Sequence, residues 1–460
     1  MLKGRSAPRV ALGSVIALAA VLRLMDLGAK SVWSDEAFSI FLAKQSWFNF
    51  WHIVTSAEAN MSLYYLLLRG WIGFSDAAWW VRLLSALMGV ATVPVVYWLG
   101  KEMFSQRTGL LAALLLAINL FHIRYAQEAR SYSLLVLLVS ISFLAFLHCL
   151  KQRSRFWSAC YLLSTAFALY AHFFAALVVL VQLVLLAMVP ADRRRFAIRQ
   201  ALQLGIVIAL GLPLLWFVVF RDRGQLAWAP PVHWRDVYDV FRFLVGSGLK
   251  LGIAIVAFAI ALTAWVGRFR EKHWTVERWS VLVLLLWLFL PIFITLLASV
   301  WKPMYAPRFL TFCLPAALLL IAEGIAEIRF AWIRYALVLA LVVGEIGPIR
   351  FYYREAGQED WKSAVAFLGK NAHAGDAAVL PNPYCELPFQ YELAHARFAV
   401  PDLRIISWSA SEPPQANGPD HLWMVTCSAT KDLKTQPMIG EYKVQEERDF
   451  KGVRITQVIR

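Results

Sequence analysis

Two neighbouring acidic residues follow the first long apolar stretch of the chain. They are Asp35 and Glu36, in the run WSDEA at positions 33–37. If lipid surrounds the apolar stretch, carboxylates at its end carry a desolvation cost unless they have a partner or a task. One such task is that of a general base, which takes a proton from an attacking hydroxyl or amine. A structural alternative stays open, because Asp and Glu are also favoured in the first turn of a helix.

A second polar group lies in the run YAQEARSY at positions 125–132. Its members are Glu128, Arg130 and Tyr132. The group combines a carboxylate, which can bind a metal ion or orient a substrate, with a guanidinium suited to phosphate oxygens. A local ion pair that caps a helix explains the same residues without any substrate.

Two further pairs of polar residues interrupt apolar sequence. Tyr170 and His172 lie between two apolar stretches, and Tyr305 and Arg308 precede another. A histidine in an apolar run is often a hydrogen-bonded packing residue, and an arginine at a helix end often extends towards the lipid–water interface. These four residues are therefore candidates for substrate binding with a structural alternative beside each.

The composition of the chain is that of a membrane protein. Of its 460 residues, 60% are hydrophobic and only 16% are charged, against about 25% charged in soluble globular domains. A membrane-spanning helix needs about 20 mainly apolar residues. Eleven spans are predicted, at 9–26, 80–100, 107–123, 132–150, 156–170, 172–190, 199–220, 248–266, 279–300, 308–326 and 330–348.

Basic residues predict the orientation of these spans. The net charge is +15, but the lysines and arginines lie in short clusters between apolar stretches, as in cytoplasmic loops, and form no patch that favours nucleic acid. This pattern predicts a cytoplasmic N-terminus and an extracytoplasmic C-terminal segment in a cell membrane, most simply the inner membrane of a bacterium. All four candidate sites then face the extracytoplasmic side, where they can share one polar cavity. The clusters are Lys101 and Arg107; Lys151, Arg153 and Arg155; Arg193, Arg194, Arg195 and Arg199; and Arg268, Arg270 and Lys272.

The predicted fold class is an α-helical polytopic membrane protein with a small C-terminal extracytoplasmic α/β domain. The membrane module comprises residues 1–348 and the α/β domain residues 349–460. In the latter, Trp361–Leu368 reads as an amphipathic helix. β-branched and aromatic content predicts strands at Ala377–Leu380, Arg404–Trp408, Leu422–Cys427, Tyr442–Gln445 and Val453–Val458.

Two external loops are predicted inside the membrane module. The loop 27–79 is rich in tryptophan, tyrosine and phenylalanine, which are enriched at membrane interfaces, so amphipathic helices on the outer leaflet are expected there. The loop 221–247 mixes charged and aromatic residues, namely Arg221, Asp222, Arg223, Trp228, His233 and Asp236.

Five cysteines are too few for a disulfide scaffold and have no metal-ligand spacing. Cys149, Cys160 and Cys313 fall in apolar stretches and are expected to be small hydrophobic residues. Cys385 and Cys427 lie in the polar C-terminal part and can pair if that part faces an oxidising compartment. The spacing alone leaves their pairing open.

An ordered set of motifs resembles glycosyltransferase family 39, a branch of the GT-C superfamily that includes protein O-mannosyltransferases and the aminoarabinose transferase of lipid A. The resemblance covers roughly residues 10–375. The matching stretches are Trp33–Ala37 (WSDEA), Ser62–Leu68 (SLYYLLL), Val81–Gly89 (VRLLSALMG), Phe121–Leu134 (FHIRYAQEARSYSL), Tyr170–Phe173 (YAHF), Tyr305–Leu310 (YAPRFL) and Glu359–Trp361 (EDW).

This resemblance implies a catalytic aspartate at Asp35 with Glu36 beside it, and a second acidic position at Glu128. It also implies a polyprenyl-phosphate-sugar donor. The chain departs from the family pattern at Asn60, where some relatives carry a lysine that contacts the phosphate. Neutralisation of the phosphate is therefore expected from Arg130 or Arg308. The expected substrate-binding set is Arg130, Tyr132, Tyr64, His172, Tyr305 and Arg308.

The expected reaction is an inverting displacement at the anomeric carbon of the sugar. Asp35 is the expected general base, and Glu128 orients the acceptor or, together with Asp35, holds a divalent metal ion. The acceptor, a lipid, a glycan or a protein, is left open. A polymerase or ligase that uses a lipid-linked oligosaccharide has the same external active face and is the alternative enzyme.

A transporter or lipid flippase is the alternative from another class. Such proteins place ionisable residues near the bilayer midplane and often consist of two related halves. The charges of this chain lie at the outer ends of its predicted spans and its sequence has no two-half symmetry, which disfavours transport.

Overall fold

The computed structural model describes residues 3–189, 193–221, 229–268, 276–355, 357–396, 403–407, 421–427 and 443–459. The chain forms two compact units. The membrane unit consists of Met1–Met25, Ser46–Leu67 and Arg82–Arg350, and the C-terminal unit of Asp26–Gln45, Leu68–Val81 and Phe351–Arg460. Two pieces of the predicted external loop thus pack with the polar C-terminal segment, and the chain passes between units several times.

Helices account for most of the described chain. They are α1 (Lys3–Leu24), α2 (Ser34–Lys44), α3 (Trp47–Ser56), α4 (Ser62–Ile72), α5 (Ala78–Met103), α6 (Gln106–Ile118), α7 (Leu120–Ala126), α8 (Tyr132–Lys151), α9 (Arg155–Ala171), α10 (Ala176–Ala187), α11 (Arg194–Phe220), α12 (Trp234–Val245), α13 (Leu249–Arg268), α14 (Val276–Ser299), α15 (Leu314–Glu327), α16 (Ala331–Arg354), α17 (Trp361–Asn371) and α18 (Pro383–Ala394). Two 3-10 turns, Phe173–Ala175 and Pro307–Cys313, precede α10 and α15.

The helices of the membrane unit confirm an integral membrane protein. Among the described residues, seven helices are long and apolar enough to cross a bilayer, and the pair α6 and α7, bent by 60°, makes an eighth if it is one span. The predicted count of eleven is not confirmed. The difference includes α9, with 17 residues, and the apolar helix Phe173–Ala187, which are shorter than the roughly 20 residues of a perpendicular span.

Burial separates central spans from peripheral ones in the membrane unit. The span Pro307–Glu327 is 94% buried within the protein, whereas Ala331–Arg354 is only 11% buried. A helix that is apolar on all sides and still exposed to this extent is stable only where lipid covers it. The core of the unit is therefore built around α15, and α16 lies at its edge.

The predicted external loops contain helices. The loop 27–79 holds α2, α3, α4 and the start of α5, and on α3 the side chains of Trp47, Phe48 and Trp51 are exposed. The loop 221–247 contains α12, where the Asp236 carboxylate accepts the backbone N–H of His233 at 2.7 Å. Of the residues predicted to shape this loop, Asp222, Arg223 and Trp228 lie outside the described residues.

The C-terminal unit contains the predicted α/β domain. Its described strands, β1 (Ala377–Leu380), β2 (Arg404–Ser407), β3 (His421–Cys427), β4 (Lys443–Phe450) and β5 (Val453–Ile459), form one sheet in the order β2-β1-β3-β5-β4. β1 is parallel to β2 and β3, whereas β5 is antiparallel to β3 and β4. The predicted strands and the helix at Trp361 are confirmed; of the residues assigned to them, Trp408 and Tyr442 lie outside the described residues.

A disulfide joins the helical and strand layers of this unit. Cys385 in α18 is bonded to Cys427 at the end of β3, so the pairing that the sequence left open is present. Both cysteines belong to a buried cluster that also contains Trp361, Phe389 and Trp423. The sequence did not predict α18 itself, whose internal Pro388 disfavours helix; Pro383, at the first position of the helix, is compatible with it.

Candidate active site

The run at positions 33–37 forms the first turn of α2, in the C-terminal unit. Glu36 is buried, and its carboxylate accepts the backbone N–H of Trp33 at 3.4 Å. Glu36 therefore has the helix-capping role that its sequence position allowed. Asp35 is only partly buried, and its carboxylate accepts the hydroxyl of Tyr384 at 3.5 Å. Of the two acidic residues, Asp35 is the more exposed.

Tyr384 was not identified from the sequence. It lies in the first turn of α18, 349 positions from Asp35, and its side chain is 42% exposed. Only the pairing of α2 with α18 in the C-terminal unit places its hydroxyl beside the aspartate. No local pattern around either residue carries that information.

The membrane unit holds the second polar group, and a break between α6 and α7 positions it. Asn119 ends α6 and caps α7, because its side-chain oxygen accepts the backbone N–H of His122 at 2.9 Å. The break leaves carbonyl groups of α6 without helical partners. The buried guanidinium of Arg23 donates to two of them, Leu116 O at 2.8 Å and Ala117 O at 2.9 Å. The bend redirects the chain into the segment 127–131.

Arg130 is held in the buried part of this segment. Its guanidinium Nη1 donates to the hydroxyl of Tyr65 at 3.2 Å, and its carbonyl accepts the hydroxyl of Ser85 at 3.0 Å. The Ser85 hydroxyl lies 2.9 Å from the Tyr64 hydroxyl. Because Ser85 uses its proton on the Arg130 carbonyl, Tyr64 is the donor of that pair. Tyr64 therefore supports Arg130 through Ser85.

Glu128 is buried in the same segment, at 6% exposure. One of its carboxylate oxygens lies 3.7 Å from Arg124 Nε, one helical turn earlier. A local ion pair is thus present, and it joins Glu128 to Arg124, a partner not identified from the sequence. It does not account for the burial of Glu128, since Arg124 is 41% exposed and an exposed ion pair contributes little stability.

His172 lies with Arg130 and has a fixed proton position. Its Nδ1 accepts the backbone N–H of Phe174 at 3.2 Å, so the neutral ring carries its proton on Nε2. The ring is 1% exposed, and within the described chain no group lies within hydrogen-bond distance of Nε2. The charges of Arg130 and Arg308 both act on this ring. The turn 170–173 thus presents a buried N–H donor on a ring that both guanidinium charges influence.

Aromatic rings fill the space between these polar groups. The Tyr132 ring centroid is 6.1 Å from that of His172, which is 5.0 Å from that of Phe309. The guanidinium carbon of Arg308 lies 5.7 Å from the Phe309 centroid. Arg130, Tyr132, His172 and Arg308, which the sequence separates by up to 178 positions, therefore form one cluster, hereafter the cationic cluster.

Tyr305 faces a different neighbourhood. Its side chain is buried at 4% exposure, and among the described residues its hydroxyl has no hydrogen-bond partner. Burial raises the pKa of this hydroxyl, and the negative charges of Asp236 and Asp239 raise it further. Tyr305 therefore lies near α12 and carries a proton at neutral pH.

An apolar groove of about 540 Å³ opens beside the turn 170–173 in the membrane unit. Its walls are almost entirely apolar, with Trp51, Leu66, Phe167, Tyr170, Leu210 and Phe217 among the lining residues. Asn60, where the sequence departs from its relatives, accepts the backbone N–H of Phe173 at 3.1 Å with its side-chain oxygen. Asn60 therefore supports the turn that carries His172.

The sequence predicts a divalent metal ion held by Asp35 and Glu128. Within the part of the chain that the structure describes, no three His, Cys, Asp or Glu side chains are grouped as metal ligands are. Asp35 and Glu128, the two proposed ligands, belong to different compact units. A metal ion held by these two carboxylates stays a prediction.

Known proteins resemble this chain in fold and, over one segment, in sequence. Residues 72–217 match the family model described as dolichyl-phosphate-mannose-protein mannosyltransferase. The structure of ArnT from Cupriavidus metallidurans bound to undecaprenyl phosphate is similar with a TM-score of 0.60 and 12% identity, over 99% of this chain and 98% of that one. The apo structure of the same protein gives 0.61 and 13% identity, over 98% of each chain.

A larger archaeal enzyme has a related fold. The oligosaccharyltransferase AglB from Archaeoglobus fulgidus, in complex with an inhibitory peptide and a dolichol-phosphate, has a TM-score of 0.56 at 12% identity, over 88% of this chain and 65% of that one. No curated protein sequence matches the chain. These similarities confirm the predicted GT-C-like architecture of a helical membrane part with a small C-terminal sheet domain.

Proposed function

Because this chain has the GT-C superfamily fold and carries a segment of the dolichyl-phosphate-mannose-protein mannosyltransferase family, we propose that it transfers a sugar from a polyprenyl-phosphate carrier to an acceptor. The observation that carries this proposal is the cationic cluster beside an apolar groove. A polyprenyl phosphate is an amphiphile with one anionic group at the end of a long apolar chain. The apolar groove matches the apolar chain of this amphiphile, and the cationic cluster beside the groove matches the anionic group at the end of that chain.

The tail of the donor occupies the groove. The groove lies on the membrane unit, where lipid is the surrounding solvent, so an isoprenoid chain reaches it without passing through water. Tyr170 lines the groove and His172 belongs to the cationic cluster. A single residue, Ala171, therefore separates the residue that lines the place for the tail from the residue that contributes to the place for the phosphate.

The cationic cluster binds the phosphate. Arg130 and Arg308 supply guanidinium groups, which match phosphate oxygens in geometry and charge. The Nε2–H of His172 supplies a neutral donor that is already oriented by the backbone. The leaving group of the reaction is a phosphate monoester, which is stable as an anion at neutral pH. It needs stabilisation of developing negative charge more than a proton, and fixed buried donors provide it without reorganisation.

Asp35 is the general base of the proposed reaction. It takes a proton from the acceptor hydroxyl or amine as that group attacks the anomeric carbon and the bond to the phosphate oxygen breaks, so the anomeric configuration inverts. Glu128 orients the acceptor, or holds a divalent metal ion with Asp35. Chelation by EDTA separates these two roles, because only the second predicts loss of transfer that added Mg²⁺ or Mn²⁺ restores.

The test uses purified protein in lipid nanodiscs with a panel of undecaprenyl-phosphate monosaccharides and an undecaprenyl-diphosphate oligosaccharide, together with membrane vesicles as the source of acceptors. Release of undecaprenyl phosphate from one monosaccharide donor supports the proposal. Turnover of the oligosaccharide donor alone would instead support a polymerase or ligase that uses a lipid-linked oligosaccharide. The fold similarity to AglB, an oligosaccharyltransferase, is the reason to include this donor. No turnover of any donor would refute both.

Asp35→Asn tests the base directly. Its transfer rate is expected to fall at least about 100-fold, the lower range for loss of a general base, with donor binding unchanged. Asp26→Asn is the matched control, because Asp26 is exposed and has a positive φ of 55° that asparagine also adopts readily. Near-normal turnover of Asp35→Asn would remove Asp35 from this role.

A further inference from the structure

The segment 28–34 leads into α2 and fixes the position at which this helix begins, one residue before Asp35. α2 starts after Trp33, whose side chain cannot accept a hydrogen bond from the first turn. The first backbone N–H groups of a helix have no partner within the helix, and a nearby oxygen normally caps them. Glu36 accepts the N–H of Trp33, but the N–H of Ser34, the first residue of α2, needs an acceptor from outside the helix.

Glu359 supplies that acceptor from 325 positions away. One of its carboxylate oxygens accepts the backbone N–H of Ser34 at 3.3 Å and the Ser34 hydroxyl at 2.9 Å. The same oxygen accepts the indole N–H of Trp361 at 2.8 Å. Glu359 is 4% exposed. Burial raises the pKa of its carboxyl group, and the nearby negative charge of Asp35 also raises it, against the three donors that lower it.

Two other side chains from the same region hold the segment on either side. The carboxylate of Glu392 accepts the backbone N–H of Val32 at 2.8 Å. The ammonium group of Lys362 donates to the carbonyls of Gly28, Ala29 and Lys30, at 2.6, 3.0 and 3.2 Å. The backbone is thus held at C=O or N–H groups of five of the seven positions from 28 to 34.

We propose that Glu359 is a positioning residue for the proposed reaction, which holds the first turn of α2 so that the carboxylate of Asp35 is presented to the acceptor. The inference rests on the proposed function of Asp35. Asp35 directly follows Ser34, so a change in the Ser34 backbone changes the direction of the Asp35 side chain. General-base catalysis depends on such geometry, and a misplacement of about 1 Å can cost about 100-fold in rate.

A stabilising role alone does not account for this arrangement. Burying a carboxylate carries a desolvation cost that its hydrogen bonds only roughly compensate. A neutral cap such as serine or threonine at position 33 would cap other N–H groups of the same first turn without burying a charge. Two of the three hydrogen bonds that Glu359 accepts instead come from Ser34, the residue that precedes Asp35.

The test compares Glu359→Gln and Glu359→Ala with the parent, using the monosaccharide donor that the panel identifies. For Glu359→Ala, kcat per folded protein is expected to fall about 10- to 100-fold, with KM for the donor unchanged. Glu359→Gln keeps one acceptor oxygen and is expected to recover part of kcat. Glu386→Gln, on the partly exposed face of α18, is the matched control and is expected to keep parental kcat.

Hydrogen–deuterium exchange of the peptide 28–40 gives a second readout. Amide exchange at the start of α2 is expected to increase in Glu359→Ala and not in Glu386→Gln. If exchange increases but kcat per folded protein stays parental, Glu359 only stabilises the fold and the inference is overturned. Unchanged exchange also overturns it. If the parent itself turns over no donor, the proposed function fails, and that result is distinct from either outcome in the variants.

Discussion

The polar residues of the two units are held in place by different kinds of contact. In the membrane unit, Arg130 is supported by Tyr65 and Ser85, which lie 65 and 45 positions away in sequence, and aromatic rings surround the cationic cluster. In the C-terminal unit, the segment before Asp35 is held by Glu359 and Glu392, which lie 325 and 360 positions away from their partners. The polar residues of the membrane unit are held by packing and by hydrogen bonds to residues fewer than 70 positions away. Those of the C-terminal unit are held by hydrogen bonds to carboxylates more than 300 positions away.

This difference follows from the surroundings of each unit. Inside a bilayer, backbone polar groups must be satisfied within the protein, so helices pack side by side and polar side chains find partners on neighbouring turns and helices. In the C-terminal unit, α2 buries apolar side chains such as Ile40 and Leu42, but its first turn is also held by hydrogen bonds to a side chain far along the sequence. We expect the C-terminal unit to respond to changes in polar contacts and in redox conditions, and the membrane unit to respond to loss of buried groups.

The largest expected effect comes from Arg130→Ala in the membrane unit. It removes a buried guanidinium of the cationic cluster and the partner of the Tyr65 hydroxyl. Transfer is expected to fall about 100- to 1,000-fold, as for loss of one preorganised donor. Arg130→Lys is expected to restore little, because an ammonium group cannot reproduce the guanidinium fork.

Titration of undecaprenyl phosphate by intrinsic fluorescence measures the binding part of this effect. Arg235→Ala, an exposed arginine on α12, serves as the control. If Arg130→Ala still transfers within threefold of the parent, the cationic cluster does not bind the phosphate.

The Cys385→Ser, Cys427→Ser double variant is expected to destabilise the C-terminal unit selectively. A disulfide that closes a loop of 42 residues contributes on the order of 3–4 kcal/mol. Limited proteolysis is expected to cut the C-terminal unit earlier than in the parent and to leave the membrane helices intact. Cys160→Ala, in α9 of the membrane unit, is the control. If the protease cuts the membrane helices as early as the C-terminal unit, the two units unfold together and the contrast drawn between them is wrong.

Tyr65→Phe is a smaller test of the packed arrangement. It removes the hydroxyl that accepts from Arg130 and keeps the ring in the core. Loss of one hydrogen bond to a charged group costs about 1.5–3 kcal/mol, so the transfer rate is expected to fall by at most about 10- to 150-fold. Tyr335→Phe, on the exposed side of α16, should match the parent in both rate and thermal unfolding. An equal loss in both variants would contradict the role of Tyr65.

The smallest expected effect concerns the far end of α2. Lys44, the last residue of α2, donates a hydrogen bond to the carboxylate of Asp76. The other oxygen of this carboxylate lies 3.1 Å from His395 Nε2. The Lys44 ammonium, followed by His395, lowers the pKa of Asp76 from 3.8 to about 2. Because the folded-state pKa is depressed, this stabilisation is fully present above pH 3.8 and is lost as the pH falls through about 2.

Asp76→Asn tests this contact. Since Asp76 is one-third exposed, solvent screening limits the loss of stability at pH 7 to about 1 kcal/mol or less. Thermal unfolding from pH 7 down to pH 2 is expected to show the variant and the parent converging in acid. A difference that grows below pH 4 would have the wrong sign for a depressed pKa.

Features that depend on local pattern were predicted from the sequence. Runs of apolar residues determine that the chain enters a membrane, because no other solvent accepts so much apolar surface, and alternating β-branched residues determined the strands from β1 to β5. The roles in the reaction assigned to Asp35 and Glu128 stay predictions. Within the first motif, the sequence did not show that Glu36 caps the helix, because aspartate and glutamate carry the same charge and both are favoured in the first turn of a helix.

Contacts between distant segments were decided only by the tertiary structure. The sequence alone gave no sign that Tyr384 lies beside Asp35 or that Glu359 caps α2, and it left open whether Cys385 and Cys427 are bonded. It also left open whether His172 packs or presents a donor, which depends on the backbone N–H of Phe174 fixing its proton. Hydrophobic patterning is a property of neighbouring residues and can be read along the chain. Hydrogen bonds between residues hundreds of positions apart depend on how the segments fold together, and no local pattern records that.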